Sequence, residues 1–135
     1  PRQRNDQYSG VIAKFIERLR EGRPPIIYGD GGQTRDFVYV SDVADCLVSV
    51  LKNSTAVGEA FNVATGVLTS VNCLAEMLIE LLGIEGIKPE YAELRPGDIL
   101  HSYADVKKAK AHLGFEAKVS LRQGLTNLLR ALGYI

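Results

Sequence analysis

Apolar residues recur along the chain at two spacings, and the change from one to the other divides it into elements. Residues 1–7 are polar and aperiodic and read as loop. From Ser9 to Gly22 the apolar positions Val11, Ile12, Phe15, Ile16 and Leu19 share one helical face, with Ser9 placed to cap the start and Gly22 to end it. Pro24 and Pro25 block further helix and lead into a short strand, Ile26, Ile27 and Tyr28. Gly29 to Gln33 is a turn, and Arg35 to Val40 is a second β-rich segment. Ser41 or Asp42 is expected to cap a helix that buries Val43, Leu47, Val50 and Leu51.

Glu59 to Ala64, with Phe61, Asn62 and Val63, reads as a compact strand. Thr69 or Ser70 then opens a helix with Leu74, Met77, Leu78, Leu81 and Leu82 inward, ended at Gly83. Pro89 to Leu94 is a further strand and Arg95 to Asp98 a turn. Asp105 caps a short basic helix that stops near Gly114, and Ser120 to Gln123 forms a capping box before a last amphipathic helix. The order α, β, β, α, β, α, β, α, α places the chain in the α/β or α+β class, as one domain over residues 1–135 without repeat or linker.

Sixteen basic and 16 acidic residues cancel, so no broad field draws nucleic acid or an anionic membrane, and an anion site must be built locally from placed arginines. No apolar run approaches the roughly 18 residues of a membrane span, and no signal peptide is visible. Cys46 and Cys73 fall in apolar helical segments, which favours buried thiols over a disulfide or a metal pair and suits a reducing, cytoplasmic setting. No histidine or cysteine stands beside them at zinc-ligand spacing, so no metal is expected. The first residue is Pro1 and not methionine, which fits processing or a piece of a longer protein.

Candidate chemistry gathers on two turns. The glycines at 29, 31 and 32 could suggest a phosphate loop, but such a loop needs a helix after it and here a strand follows, so a turn using positive φ is the stronger reading. Arg35 is placed either to pair with a carboxylate such as Asp36 or to meet an anion, and Arg95 repeats the theme on a turn closed by Gly97 and Asp98. Two such arginines suit a diphosphate, because a guanidinium offers planar, permanently charged donors. Ile26 and Tyr28 share one strand face and could flank a base or pack in the core. His101 and Tyr103 have no partner at a telling spacing. There is no serine elbow and no Tyr-x-x-x-Lys couple, hence no catalytic constellation.

The segment from Ile26 to Asp45 closely resembles the C-terminal half of the nucleotide-sugar epimerase/dehydratase family, the extended short-chain dehydrogenases. The likeness continues through Phe61 to Gly66, Thr69 to Val71, Arg95 to Asp98, Ala104-Asp105 and Lys107 to Ala109, and Pro1 to Gln3 resembles the tail of a family segment. Within the family it is nearest to the 4-epimerases of UDP-sugars. The resemblance implies a mixed α/β substrate-binding lobe that lacks the N-terminal Rossmann core, with its NAD loop and catalytic Tyr-x-x-x-Lys.

By that resemblance Arg35 and Arg95 contact the diphosphate of a UDP-sugar, Ile26 and Tyr28 line the uracil pocket, and Asp98 bonds the nucleotide ribose. Val11 and Ile12 lie beside the substrate, and Ser102 occupies a position that limits sugar size. NAD serves the intact enzyme, oxidising and re-reducing sugar carbon 4, and is not expected to bind this chain alone. The implied partners are the UDP-sugar and the missing Rossmann half, or self-association in its absence. A free-standing nucleotide-sugar binding module, or the same lobe of a dTDP-sugar dehydratase or other-position epimerase, is the alternative.

Overall fold

The computed structural model describes residues 10–135. The expected loop at 1–7 and the Ser9 cap lie outside the described residues, as does the resemblance at Pro1 to Gln3. The chain divides into two compact units, each assembled from segments distant in sequence. The first takes Pro1–Gln33, Ser70–Leu100 and Leu125–Ile135, and the second takes Thr34–Thr69 and His101–Gly124.

In the first unit, β1 (Ile26–Tyr28) pairs in parallel with β4 (Glu90–Ala92), Ile26 opposite Glu90 and Tyr28 opposite Ala92. Ile27 is buried between half-buried Ile26 and Tyr28, the alternation a strand imposes. Helix α1 (Val11–Arg20) buries Phe15, Ile16 and Leu19 and packs on α3 (Val71–Leu81), which buries Val71, Leu74, Ala75 and Leu78. Leu125 and Leu129 of α5 (Leu121–Ala131) are also fully buried. Each such leucine contributes about 1.5–3 kcal/mol relative to exposure.

The helix ends follow the expected chemistry. Gly22 takes φ +68, and Arg23 N–H donates to the Arg18 carbonyl at 2.9 Å, closing the end of α1 in a Schellman arrangement. The Ser70 hydroxyl accepts from Cys73 N–H at 3.1 Å and starts α3.

In the second unit, β2 (Thr34–Arg35) lies between β3 (Thr69–Ser70) and β5 (His101–Ser102), parallel to β5 with Arg35 opposite Ser102. Its core joins Cys46 of α2 (Val40–Val50), Ala109 of α4 (Lys107–Leu113) and Phe115, flanked by Val50, Phe61, Val63, Leu113 and Ala117. Burial raises the Cys46 thiol above its ordinary pKa. The Asp105 carboxylate accepts from Lys107 N–H at 2.9 Å just ahead of α4, but Val106 and not Asp105 holds the cap position and no side chain caps that helix, whereas Ser120 accepts from Gln123 N–H at 3.2 Å, as its capping pattern predicts.

Several expectations are corrected. The strand expected over Arg35 to Val40 ends its ladder at Arg35, because Asp36 turns its carboxylate to the backbone of Thr65 and Gly66. Helix α2 begins at Val40, with Tyr39 at the cap position and no side-chain cap, so neither Ser41 nor Asp42 caps it. Its inward residues are Asp42 and Cys46, with Val43 and Val50 half-buried, while Leu47 and Leu51 are 61% and 87% exposed. A helix that is apolar around most of its circumference does not declare its inner side through periodicity.

Glu59 to Ala64 forms no ladder, although Phe61 and Val63 are half-buried on either side of exposed Asn62. An extended run becomes a strand only beside another strand, and none lies beside it among the described residues. Cys73 is exposed rather than buried. Strands β3 and β5 have two residues each, too short for a period to reveal.

Candidate functional site

In parallel α/β sheets ligands collect where strands end, and the turns after β1 and β4 lie at adjacent C-terminal ends. The turn after β1 is held by side chains from several directions. Gly29 N–H donates to the Ala92 carbonyl at 2.9 Å, carrying the strand pairing into the turn. Buried Gln33 donates its side-chain amide to the Tyr28 carbonyl at 2.7 Å. Asp30 accepts from Gly32 N–H at 2.8 Å through its carboxylate, and its carbonyl accepts from the Asn72 amide at 3.0 Å. The Tyr91 hydroxyl donates to the Asn72 side-chain oxygen at 3.1 Å. Gly31, at φ +75, admits no side chain, because a Cβ there would lie 1.9 Å from that same oxygen.

Arg95 leaves the end of β4 and lays its guanidinium carbon over the Tyr28 ring, 3.6 Å from the centroid. Its own turn is closed by Asp98 N–H donating to the Arg95 carbonyl at 3.2 Å, with Gly97 at φ +80. Tyr28 and Arg95, 67 positions apart by sequence number, are thus in contact, with Asp98 three residues on in the same exposed turn. Val11 and Ile12 occupy the first turn of α1 and are half-buried.

In the second unit the register sets Arg35 beside Ser102. The Arg35 side chain donates to the Thr34 carbonyl at 2.8 Å, and the Thr34 hydroxyl lies 3.0 Å from His101 Nδ1. Asp36, a candidate ion-pair partner of Arg35, places its carboxylate elsewhere. One oxygen accepts from Thr65 N–H at 2.9 Å and from the Thr65 hydroxyl at 2.5 Å, and the other accepts from Gly66 N–H at 2.8 Å.

The residues that hold the β1 turn, Gln33, Asn72 and Tyr91, were not singled out by the sequence, and no local motif marks them because their partners are remote. The glycine turn runs from β1 into β2 and not into a helix, so it has no helix amides to cradle a dinucleotide phosphate. Among the described residues no helix is long and apolar enough to cross a membrane.

Residues 1–64 match the family model for the NAD dependent epimerase/dehydratase family. The UDP-glucose 4-epimerase of Mycolicibacterium smegmatis is 38% identical over 125 residues, 93% of this chain and 39% of that protein. The crystal structure of UDP-glucose 4-epimerase with UDP-glucose from Thermotoga maritima is 39% identical with a TM-score of 0.86, covering 96% of this chain and 42% of that one. UDP-glucuronic acid 4-epimerase from Bacillus cereus, in complex with UDP-glucuronic acid and NAD, is 30% identical with a TM-score of 0.83, covering 98% and 42%. The chain therefore spans about two fifths of the length of the relatives it matches. With both the sequence and the α/β architecture in agreement, the chain belongs to the NAD dependent epimerase/dehydratase family and carries a part of that family's fold.

Proposed function

We propose that this chain is the nucleotide-sugar-binding part of an NAD-dependent UDP-glucose/galactose 4-epimerase, forming one substrate-binding domain and inactive by itself. The observation that carries the reading is the arginine held against Tyr28 where two parallel strands end, beside a turn that is fixed before any ligand arrives. A fixed, planar cation at such a position suits a diphosphate better than a mobile lysine would.

In this reading Arg95 and Arg35 bind the diphosphate, Ile26 and the backbone of Tyr28 border the uracil, and Asp98 takes the ribose. Val11 and Ile12 flank the substrate, and the small Ser102 leaves room for the sugar. NAD and the catalytic acid–base couple belong to the intact enzyme and lie outside this chain. The remainder of the enzyme covers the outer stripe of α2, where Val40, Leu47, Val48 and Leu51 are all more than half exposed.

Calorimetric titration tests the proposal. UDP and UDP-galactose bind the unmodified chain, Arg35→Ala and Arg95→Ala each weaken binding at least tenfold, and UDP-galactose is not turned over. Absence of UDP binding, or epimerisation by the isolated chain, would overturn the reading.

A further inference from the structure

Resting on that reading, we infer that the Tyr28 ring is a positioning residue for Arg95, orienting the guanidinium so that its edge faces the phosphates before the nucleotide arrives. A C–N bond of the guanidinium is about 1.33 Å long. With the central carbon 3.6 Å above the ring centroid, an edge-on approach would drive its nitrogens to about 3 Å or closer, inside normal contact. The two planes therefore lie face to face. Stacking uses the face of the guanidinium and leaves its in-plane N–H donors for phosphate oxygens, so the two interactions do not compete.

The backbone that carries the ring is itself held in place. Tyr28 is half-buried at the end of β1, its carbonyl is tied to the buried Gln33, and the next residue continues the pairing with β4. Arg95 lies in a fully exposed stretch and would otherwise sample many rotamers, all but a few of which point away from one place. The stack removes that freedom ahead of binding, which is how preorganisation raises affinity. Tyr28 thus has two functions: its backbone borders the base and its ring serves the arginine.

The test joins a spectroscopic signature to a phosphate-dependent one. In the free chain the Arg95 Nε–H proton, assigned by its loss in Arg95→Ala and so told apart from that of Arg20 over the Tyr134 ring, is shifted upfield, keeps that shift in Tyr28→Phe and loses it in Tyr28→Leu. Tyr28→Leu weakens UDP binding roughly threefold to tenfold more than it weakens uridine binding, the range of a cation–π contact. Tyr28→Phe stays within about twofold of the unmodified chain. In the Arg95→Ala background, Tyr28→Leu has no further effect on UDP.

Equal weakening for UDP and uridine would assign the ring to the base and overturn the positioning role. Disappearance of the upfield shift on saturation with UDP would show that the nucleotide breaks the stack, with the same consequence. UDP binding untouched by Tyr28→Leu overturns the positioning role alone. No UDP binding by the unmodified chain overturns the nucleotide reading and the positioning role with it.

Discussion

Asp42 is 3% exposed, and one of its oxygens accepts two backbone hydrogen bonds, from Lys118 N–H at 3.1 Å and Val119 N–H at 3.0 Å. It ties α2 to the segment just before Ser120, 76 and 77 positions away in sequence. Asp42→Ala removes two charge-assisted bonds, each worth about 1.5–3 kcal/mol, and leaves two amides without an acceptor. The expected cost is roughly 3–5 kcal/mol, a large share of the ~5–15 kcal/mol of a whole domain. Asp42→Asn keeps an oxygen in place and loses only the charge, so about half that cost is expected.

Urea unfolding followed by circular dichroism is the assay. With a slope near 2 kcal/mol/M, Asp42→Ala lowers the midpoint by about 1.5–2.5 M, whereas Ser41→Ala, on the exposed side of the helix, moves it by no more than about 0.3 M. A helix cap would cost about 1 kcal/mol. If Asp42→Ala costs no more than a cap, the buried tie does not contribute as its geometry requires.

Further outcomes follow from exposure and charge. In the native chain one thiol, Cys73, reacts with a maleimide while Cys46 reacts only on unfolding, because burial shields it and raises its pKa; peptide mapping by mass spectrometry distinguishes the two. The Glu59 and Glu116 carboxyls are held below their ordinary pKa of 4.5 by hydrogen bonding and charge from Lys108 and Lys110. A depressed folded pKa stabilises above the unfolded value, so any advantage in Tm over Glu59→Gln/Glu116→Gln is present at pH 7 and lost as pH falls below 4.5. Because both groups are exposed that advantage is small, and high salt removes it; an advantage that grows on acidification contradicts the sign. The outer stripe of α2 drives self-association of the isolated chain, so light scattering gives a mass that rises with concentration and falls toward monomer in Leu47→Glu/Leu51→Glu. A monomer at all concentrations, before any substitution, refutes this.

What the sequence revealed and what it concealed follow from the range of the interactions. The ends of α1 and α3 were legible because glycine at Gly22 and Gly83 and the hydroxyl of Ser70 act within a few residues of themselves. The turns after β1 and β4 were legible for the same reason. The inner face of α2 was not, because its apolar residues surround the helix and the deciding partner of Asp42 lies at 118–119. The contact of Arg95 with Tyr28 and the support of the turn by Asn72 and Tyr91 depend on strand pairing between remote segments, which no local pattern encodes. Glu59 to Ala64 has strand-like alternation and no neighbour, so its backbone remains unladdered.

If the ends of β1 and β4 form a nucleotide site, amide chemical-shift mapping of the 15N-labelled chain during titration with UDP will locate it there. Saturable shifts are expected to concentrate at Tyr28, Gly29, Arg95 and Asp98 and to be absent in Arg95→Ala. Saturable binding that leaves those four amides unmoved, or no binding at all, would contradict it.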